Sequence, residues 1–345
     1  MVLAVAAFLT VVLAGVAMLL PVPYVALLPG PTANTLGSEG GTELIRISGH
    51  AVYRDNGHLD LVTVSVRGGP QQGMDLIGAV HDWLDPQRAV VPEETIYPKG
   101  QTAKQAEQEG AQEMTSSQEN ATVAALRQLK IPVTIATVVA RLTPGSPSAG
   151  KLAKGDQFVS IDGTPVTGGA SLRAGVTAAK PGTPITLVVL RKGATVTETI
   201  TTGKAPDDGR AVIGVQTSDR SHYPFTVDIS LRDVGGPSAG LMFALGIVDK
   251  LTPGSLTGGR FIAGTGTIED DGTVGAIGGI AQKMIGARES GATVFFSPAA
   301  NCGAAKASIP SGVQLVKVKT LAQAVTALED LDAGRVASLD RKSVV

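Results

Sequence analysis

The sequence predicts an α/β protein, of the α+β kind, that carries an apolar helix at its N-terminus. Runs in which apolar and polar residues alternate, at 58–66 and 225–231, predict half-buried strands. The run 241–248 is apolar throughout and predicts a buried helix. Glycine is frequent, at 43 of 345 residues, and charged residues make up only 17% of the chain. That composition is typical of a compact, turn-rich protein rather than a disordered one.

Charge and cysteine content exclude several classes of function. The formal net charge is -1 and the sequence has no cluster of basic residues, so it shows no sign of nucleic-acid binding. The single cysteine, Cys302, excludes an internal disulfide. No histidine lies near it in the sequence, which favours a structural thiol over a nucleophile. No His, Cys and acidic residues occur at metal-ligand spacing, and we therefore expect neither a metal nor a cofactor.

The N-terminal segment is apolar over a length that suits a membrane helix. Residues 2–20 are apolar or small apart from Thr10, and no charge occurs before Glu39. The competing interpretation is a signal peptide, which would have a shorter apolar region preceded by positive charge. We therefore predict an uncleaved, single-pass anchor over 1–28 in the cell membrane. The positive-inside rule does not decide the orientation of this segment, because the first basic residue is Arg46.

The segment 29–130 begins with strands and ends in a polar helix. Strands are predicted at 44–47 and 58–66, joined through a turn at Asn56 and Gly57. A helix is predicted over 73–84, which includes the only tryptophan, and a second, polar helix over 102–129.

The segment 131–203 has a different character. Strands are predicted at 133–139 and 185–190, with a helix at 172–179 between them. Residues 145–151 satisfy the first part of a P-loop pattern, but Leu152 stands where the pattern needs a hydroxyl, so we reject nucleotide binding. The run SPSAGKLAKGDQFVSIDGTPV resembles a PDZ domain. That resemblance implies capture of an extended peptide at a sheet edge, and a purely structural insert is the alternative.

A candidate nucleophile lies in the turn 235–240, which reads GGPSAG and presents Ser238 just before the apolar helix. The turn matches the G-x-S-x-G elbow of hydrolases. An α/β-hydrolase would need an acid and then a histidine after the serine. All four histidines precede Ser238, which excludes that class but leaves other triads open. They are His50, His58, His81 and His222.

A candidate base follows the serine. The free lysine amine has a pKa of about 10.4, and burial among apolar groups lowers it. Lys283 is the best of the later lysines, because its helical neighbours Gly279, Ile280, Gly286 and Ala287 carry no charge. The alternative is a lysine that snorkels from the edge of a buried helix.

The C-terminal segments GPSAGLMFALGIVDKLT, AGTGTIEDDGTVGAIGGIAQKM and GATVFFSPAANC resemble the proteolytic domain of Lon proteases, which use a Ser-Lys dyad. The resemblance implies Ser238 as nucleophile and Lys283 as general base, with Thr265 supporting the lysine and Gly236 in the turn before the serine. One position departs from the family, which commonly has an acidic residue two positions before the proline. Gly235 stands there instead, and the nearest acid is Asp233.

The whole chain resembles membrane-anchored bacterial proteases with a PDZ domain and a Lon-type domain. We expect the N-terminal part of the Lon-like domain at 29–130, a PDZ domain inserted at 131–203, and the dyad-bearing part at 204–338. Three consecutive domains are the alternative.

The resemblance implies an ATP-independent serine endopeptidase, with its catalytic part extracytoplasmic and unfolded or membrane-proximal polypeptides as substrates. It also implies a homo-oligomeric ring, with a hexamer as the expected form. The alternative function is a non-catalytic, membrane-anchored PDZ adaptor.

Overall fold

The computed structural model describes residues 2–54, 56–70, 72–231 and 234–335, which divide into two compact units. The first unit takes its described residues from 2–131 and 225–335, and the second is 132–224. The second unit is therefore inserted between two segments of the first.

The helices and strands are numbered in chain order. The α-helices are α1 (Val2–Leu19), α2 (Leu76–Leu84), α3 (Ala103–Gln128), α4 (Gly169–Ala178), α5 (Gly240–Leu251), α6 (Ile280–Glu289), α7 (Cys302–Lys306) and α8 (Leu321–Asp332), with short 3-10 turns at Glu93–Thr95 and Ala299–Asn301. The strands are β1 (Pro21–Val22), β2 (Tyr24–Asn34), β3 (Ser38–Glu39), β4 (Thr42–Glu43), β5 (Ile45–Ser48), β6 (His58–Gly68), β7 (Met74–Asp75), β8 (Ala89–Pro92), β9 (Thr134–Leu142), β10 (Gln157–Ile161), β11 (Thr164–Pro165), β12 (Pro184–Arg191), β13 (Ala194–Thr201), β14 (Gly203–Lys204), β15 (Ala211–Val212), β16 (Val215–His222), β17 (Thr226–Ile229), β18 (Phe261–Gly264), β19 (Thr267–Ile268), β20 (Val274–Gly275), β21 (Val294–Pro298) and β22 (Gln314–Val318).

The predicted anchor over 1–28 differs from the observed N-terminal segment. The helix α1 ends at Leu19, and strands β1 and β2 take up the chain from Pro21, with β2 paired to β6 and β8. Within the described ranges, we find no helix with the length and apolar character that crossing a membrane requires. The predicted transmembrane helix is therefore not supported, and residues 24–28 belong to a sheet.

The first unit is built on a mixed sheet with the strand order β22-β21-β18-β6-β2-β8. The four strands from β22 to β6 are parallel, and β2 and β8 join as antiparallel strands. Every residue of β21 is buried, as expected for a central parallel strand with both faces covered.

Helices α5 and α6 cover opposite faces of this sheet. Ala263 packs with Ile280 and Met284 of α6, whereas a Cβ on the next residue, Gly264, would meet the sulfur of Met242 on α5. Because successive residues of a strand point to opposite faces, the two helices lie on different sides of β18. All of α5 is buried, which explains its uninterrupted apolar sequence.

The polar helix α3 covers α5 with its second half. A capping box between Thr102 and Gln105 starts the helix. Its buried residues lie between Met114 and Leu126, and α3 packs against α5. The acidic first half stays at the surface, while the second half belongs to the core.

The second unit is a sheet of order β13-β12-β10-β9-β16, with β11 paired to β10 and α4 packed on the sheet. Its core gathers Phe158, Leu187 and Val189 with Leu172 and Val176 of α4. The compact unit continues beyond the predicted range 131–203, because β16 pairs with β9 from Val215↔Leu142 to His222↔Thr134. The polar sequence of β16 carries no apolar alternation that would assign it to this sheet.

Candidate active site

The turn before α5 holds Ser238 in a fixed position. Gly236 has a φ of 86°, a left-handed conformation that glycine adopts without strain. Its amide donates to the carbonyl of Gly110 at 2.9 Å, and the hydroxyl of Ser117 donates to the carbonyl of Pro237, also at 2.9 Å. Both partners belong to α3, so this helix fixes the turn that presents the serine.

Lys283 approaches the serine from α6. The helix begins after Gly279, whose φ of 64° lets the chain turn into it. The Lys283 side chain is buried, and its Nζ donates to Ser238 Oγ at 2.7 Å and to Thr265 Oγ1 at 3.0 Å. Serine and lysine are 45 positions apart in sequence, so the fold alone brings them together.

Thr265 holds the Lys283 amine and the Ser238 backbone in place. It follows β18 and is fully buried, and its hydroxyl donates to the carbonyl of Ser238 at 3.0 Å. The amide of Gly266 donates to the same carbonyl at 2.8 Å. The single proton of the Thr265 hydroxyl is thereby engaged, and its lone pairs remain to accept from Lys283.

Burial changes the acid–base chemistry of the lysine. It lowers the pKa of the Lys283 amine from 10.5 to about 8, because removal from water disfavours the ammonium form. At that pKa roughly a tenth of the amines are neutral at pH 7. A neutral amine beside a serine hydroxyl can accept its proton, which is the arrangement that an activated serine nucleophile needs.

Two backbone amides adjoin the nucleophile in the chain, at the start of α5. In the described chain, the amides of Ser238 and Ala239 donate to no protein acceptor. They lie at the N-terminal end of α5, where the helix dipole favours negative charge. Gly236 is different, because its amide is engaged with Gly110. That amide is therefore not free to donate to an oxyanion.

The structure brings Ser238, Lys283 and Thr265 into one hydrogen-bonded group and leaves other candidates outside it. His58 contacts Asp60, and His81 contacts Asp82. The Cys302 thiol is buried, and burial raises its pKa, which suits an unreactive side chain. Asp233 lies outside the described residues. No group of three His, Cys, Asp or Glu residues in the described part of the chain could hold a metal ion.

Sequence reasoning missed the part that α3 plays in the site. Gly110 and Ser117 hold the nucleophile turn, and the Asn120 amide donates to the carbonyl of Ile268 at 3.2 Å. A Cβ on Gly110 would lie 3.5 Å from the Cα of Gly235, so a small residue suits this crossing. The available signal was the small residues at positions 110 and 117, two helical turns apart on one face.

Comparison with protein-family models gives two matches. The PDZ domain model matches residues 112–202, and the model of the Lon protease (S16) C-terminal proteolytic domain matches residues 232–330. The second match contains Ser238, Thr265 and Lys283. The chain carries a PDZ domain and a Lon-type proteolytic domain. It is a serine-type peptidase with a PDZ domain, on the mixed α/β fold that the sequence predicted.

The PDZ match begins inside α3, whereas the compact inserted unit begins at residue 132. We place the boundary at 132, because α3 packs against α5 of the proteolytic unit.

Similar solved structures are PDZ domains and a further bacterial structure. The PDZ domain of the SdrC-like protein from Listeria monocytogenes is 18% identical, covers 24% of this chain and 85% of its own, and has a TM-score of 0.23. The corresponding domain from Listeria innocua is 19% identical, with 26% and 98% covered and a TM-score of 0.24. A structure from Geobacillus thermodenitrificans is 23% identical, with 20% and 79% covered and a TM-score of 0.19. No curated protein gives a significant match.

Proposed function

We propose that this chain is an ATP-independent serine endopeptidase in which Lys283 activates Ser238. The observation that carries the proposal is the 2.7 Å contact between Lys283 Nζ and Ser238 Oγ, made by a lysine that is only 4% exposed. Burial lowers the pKa of the amine, and the contact places the amine within proton-transfer distance of the serine hydroxyl.

The reaction proceeds through an acyl-enzyme. Ser238 Oγ attacks the peptide carbonyl while neutral Lys283 takes the hydroxyl proton, and the resulting ammonium gives that proton to the leaving amine. Water then attacks the ester, Lys283 again acts as the base, and the proton returns to Ser238. Throughout, Thr265 accepts an N–H of the amine and keeps its lone pair directed at the serine.

The negative charge of the tetrahedral intermediate falls near the start of α5. The free amides of Ser238 and Ala239 are the donors that we assign to it. Loss of one such donor typically removes about 2.7–4 kcal/mol of transition-state stabilisation.

The PDZ unit supplies a docking groove for polypeptides. A cavity of about 690 Å³ lies between α4 and the segment 211–217. Leu172, Val176 and Ile213 provide apolar lining, and Arg173 and Arg210 provide positive charge. We propose that it binds extended segments of unfolded or flexible substrates by strand addition.

ATP has no part in this proposal. The segment that most resembles a P-loop, 145–151, lies in the PDZ unit, and Leu152 follows it in place of a magnesium-binding hydroxyl.

We also propose that α1 attaches the chain to the cell membrane. Its exposed side chains include Leu3, Phe8 and Leu13, and it contacts α2, on which Trp83 is exposed. Exposed apolar surface of this kind favours insertion into lipid. The test is flotation of the full chain with phospholipid vesicles. We expect Phe8→Asp to reduce flotation, and equal flotation of both proteins would refute the attachment.

An extracytoplasmic catalytic part and a homo-oligomeric ring stay predictions. The mass of the full chain in solution tests the ring, for which a hexamer is the expected form.

The experiment that tests catalysis is cleavage of casein by the full chain without ATP. We expect Ser238→Ala and Lys283→Ala to abolish cleavage, whereas Lys306→Ala, a change at an exposed lysine of the same unit, leaves it intact. Cleavage that survives Lys283→Ala would reject the dyad. A folded parent that binds casein through its PDZ unit and cleaves nothing would favour the adaptor.

A further inference from the structure

A groove of about 430 Å³ opens beside the nucleophile turn. One wall is the middle of α3, from Glu109 to Asn120, the other is β19 with the residue after it, and Pro237 also lines the groove. Pro237 directly precedes Ser238, so the groove adjoins the turn that presents the serine.

Both walls are tied to the nucleophile. The α3 wall is joined to the turn through the hydroxyl of Ser117 and the carbonyl of Pro237 at 2.9 Å. The β19 wall is joined to it through the amide of Gly266, which donates to the carbonyl of Ser238 at 2.8 Å. The position of the groove relative to Ser238 is therefore fixed by hydrogen bonds within one unit.

The charged residues that line the groove have one sign. They are Glu109, Glu113 and Glu269, and among the lining residues that the structure describes there is no Lys, Arg or His. Glu109 accepts from the amide of Gln101 at 2.7 Å. The carboxylate of Glu113 lies 4.0 Å from the position that a Cβ on Gly236 would occupy, so it is the carboxylate next to the turn.

We infer that these carboxylates determine substrate specificity, and that the peptidase prefers polypeptides that place a Lys or Arg side chain in this groove. The inference rests on the proposed function, since it assigns a substrate class to the same serine. The three carboxylates are exposed, and an exposed ion pair typically changes affinity by up to roughly fivefold. With more than one carboxylate engaged, we expect roughly tenfold higher kcat/KM for a basic residue than for an acidic one at the selected position.

The test uses matched peptides that differ at a single position, which carries Lys, Met or Glu, and scans that position along the peptide. With the full chain we expect kcat/KM to fall in the order Lys, Met, Glu at one position relative to the cleaved bond. The preference should shrink at about 1 M salt, where charges are screened within about 3 Å.

Charge-reversal variants assign the preference to the groove. Glu113→Lys and Glu269→Lys should each lower the Lys-to-Glu ratio of kcat/KM, and together they should invert it. Glu119→Lys is the matched control, because Glu119 is an exposed carboxylate of the same helix that does not line the groove. It should leave the ratio unchanged.

Binding to Ser238→Ala separates this inference from the proposed function. If the parent cleaves all three peptides equally and Ser238→Ala abolishes cleavage, the specificity is refuted and the peptidase stands. If the parent cleaves nothing, but Ser238→Ala binds the Lys peptide more tightly and Glu113→Lys reverses that order, the groove stands and the mechanism falls. Equal binding without cleavage overturns both.

Discussion

Replacement of Lys283 by methionine should stabilise the proteolytic unit at neutral pH while it abolishes catalysis. Lys283 is 4% exposed, and its pKa falls from 10.5 to about 8 on folding. A pKa lowered from 10.5 to about 8 corresponds to about 3 kcal/mol of destabilisation at pH values below 8, where both folded and unfolded chains carry the ammonium. Methionine is of similar length and carries no charge.

The net gain in the free energy of unfolding is smaller than the amount that removal of the buried charge alone would give. The variant loses the hydrogen bonds from Nζ to Ser238 and Thr265, each of which contributes about 0.5–1.5 kcal/mol net. We therefore expect a net stabilisation of about 1–2 kcal/mol at pH 7. In a unit of this size that raises the unfolding temperature by roughly 3–6 °C.

The dependence on pH identifies the cause. Between about pH 8 and 10.4 the unfolded lysine is protonated while the folded lysine is neutral, so the stability of the parent rises with pH in that window. The methionine variant lacks this rise. Its advantage should therefore shrink above pH 8 and vanish or reverse near pH 10.

Scanning calorimetry of the full chain provides the measurement. The transition of the proteolytic unit should move, and the transition of the PDZ unit serves as an internal reference. Lys306→Met, at an exposed lysine, is the control and should move neither. A variant that is less stable than the parent at pH 7, by an amount independent of pH, would refute the reasoning that a buried cation destabilises the fold.

Three further outcomes are expected. Ser117→Ala should lower kcat roughly tenfold with little change in stability, because the hydroxyl only holds the nucleophile turn. An unchanged kcat would count against that role. Gly246→Ala should destabilise the proteolytic unit by about 1–3 kcal/mol in thermal unfolding, because its Cβ would lie 2.7 Å from the Thr35 hydroxyl. Asp156→Asn should lower the unfolding temperature of the PDZ unit alone, because the buried carboxylate accepts two hydrogen bonds from Arg191 at 2.7 and 2.9 Å. A change in the unfolding temperature of the proteolytic unit would contradict this.

Local patterns of apolar and polar residues predicted several helices and strands of the proteolytic unit. The alternating run 58–66 lies within β6, the polar helix predicted over 102–129 is α3, and the apolar run 241–248 lies within α5. All of α5 is buried, as its uninterrupted apolar run predicts, whereas residues 59–62 of β6 are buried in succession and not in alternation.

Two segments of the structure differ from their predicted assignments for the same physical reason, since sheet pairing depends on partners far away in the chain. The apolar residues 24–28 were assigned to a membrane helix, but they pair with β6 and β8 in a sheet. The polar strand β16 was assigned to the other unit, although its partner β9 lies about 80 residues earlier. Neither partner can be read from the local sequence, because a strand's composition reports only how buried it is.

The meeting of Ser238 and Lys283 also depends on the sheet, and it explains why Thr265 lies between them. Serine precedes α5 and lysine belongs to α6, and these helices cover opposite faces of β18. Side chains from opposite faces can meet only beyond an end of the strand. Thr265 is the first residue after the carboxyl end of β18, and it bonds both to the Ser238 carbonyl and to the lysine amine. Sites at the carboxyl ends of parallel strands are the general rule for open α/β sheets. A Thr265→Val variant removes both bonds at nearly constant volume, so it should uncouple the two helices at this point and lower kcat while α5 and α6 remain folded.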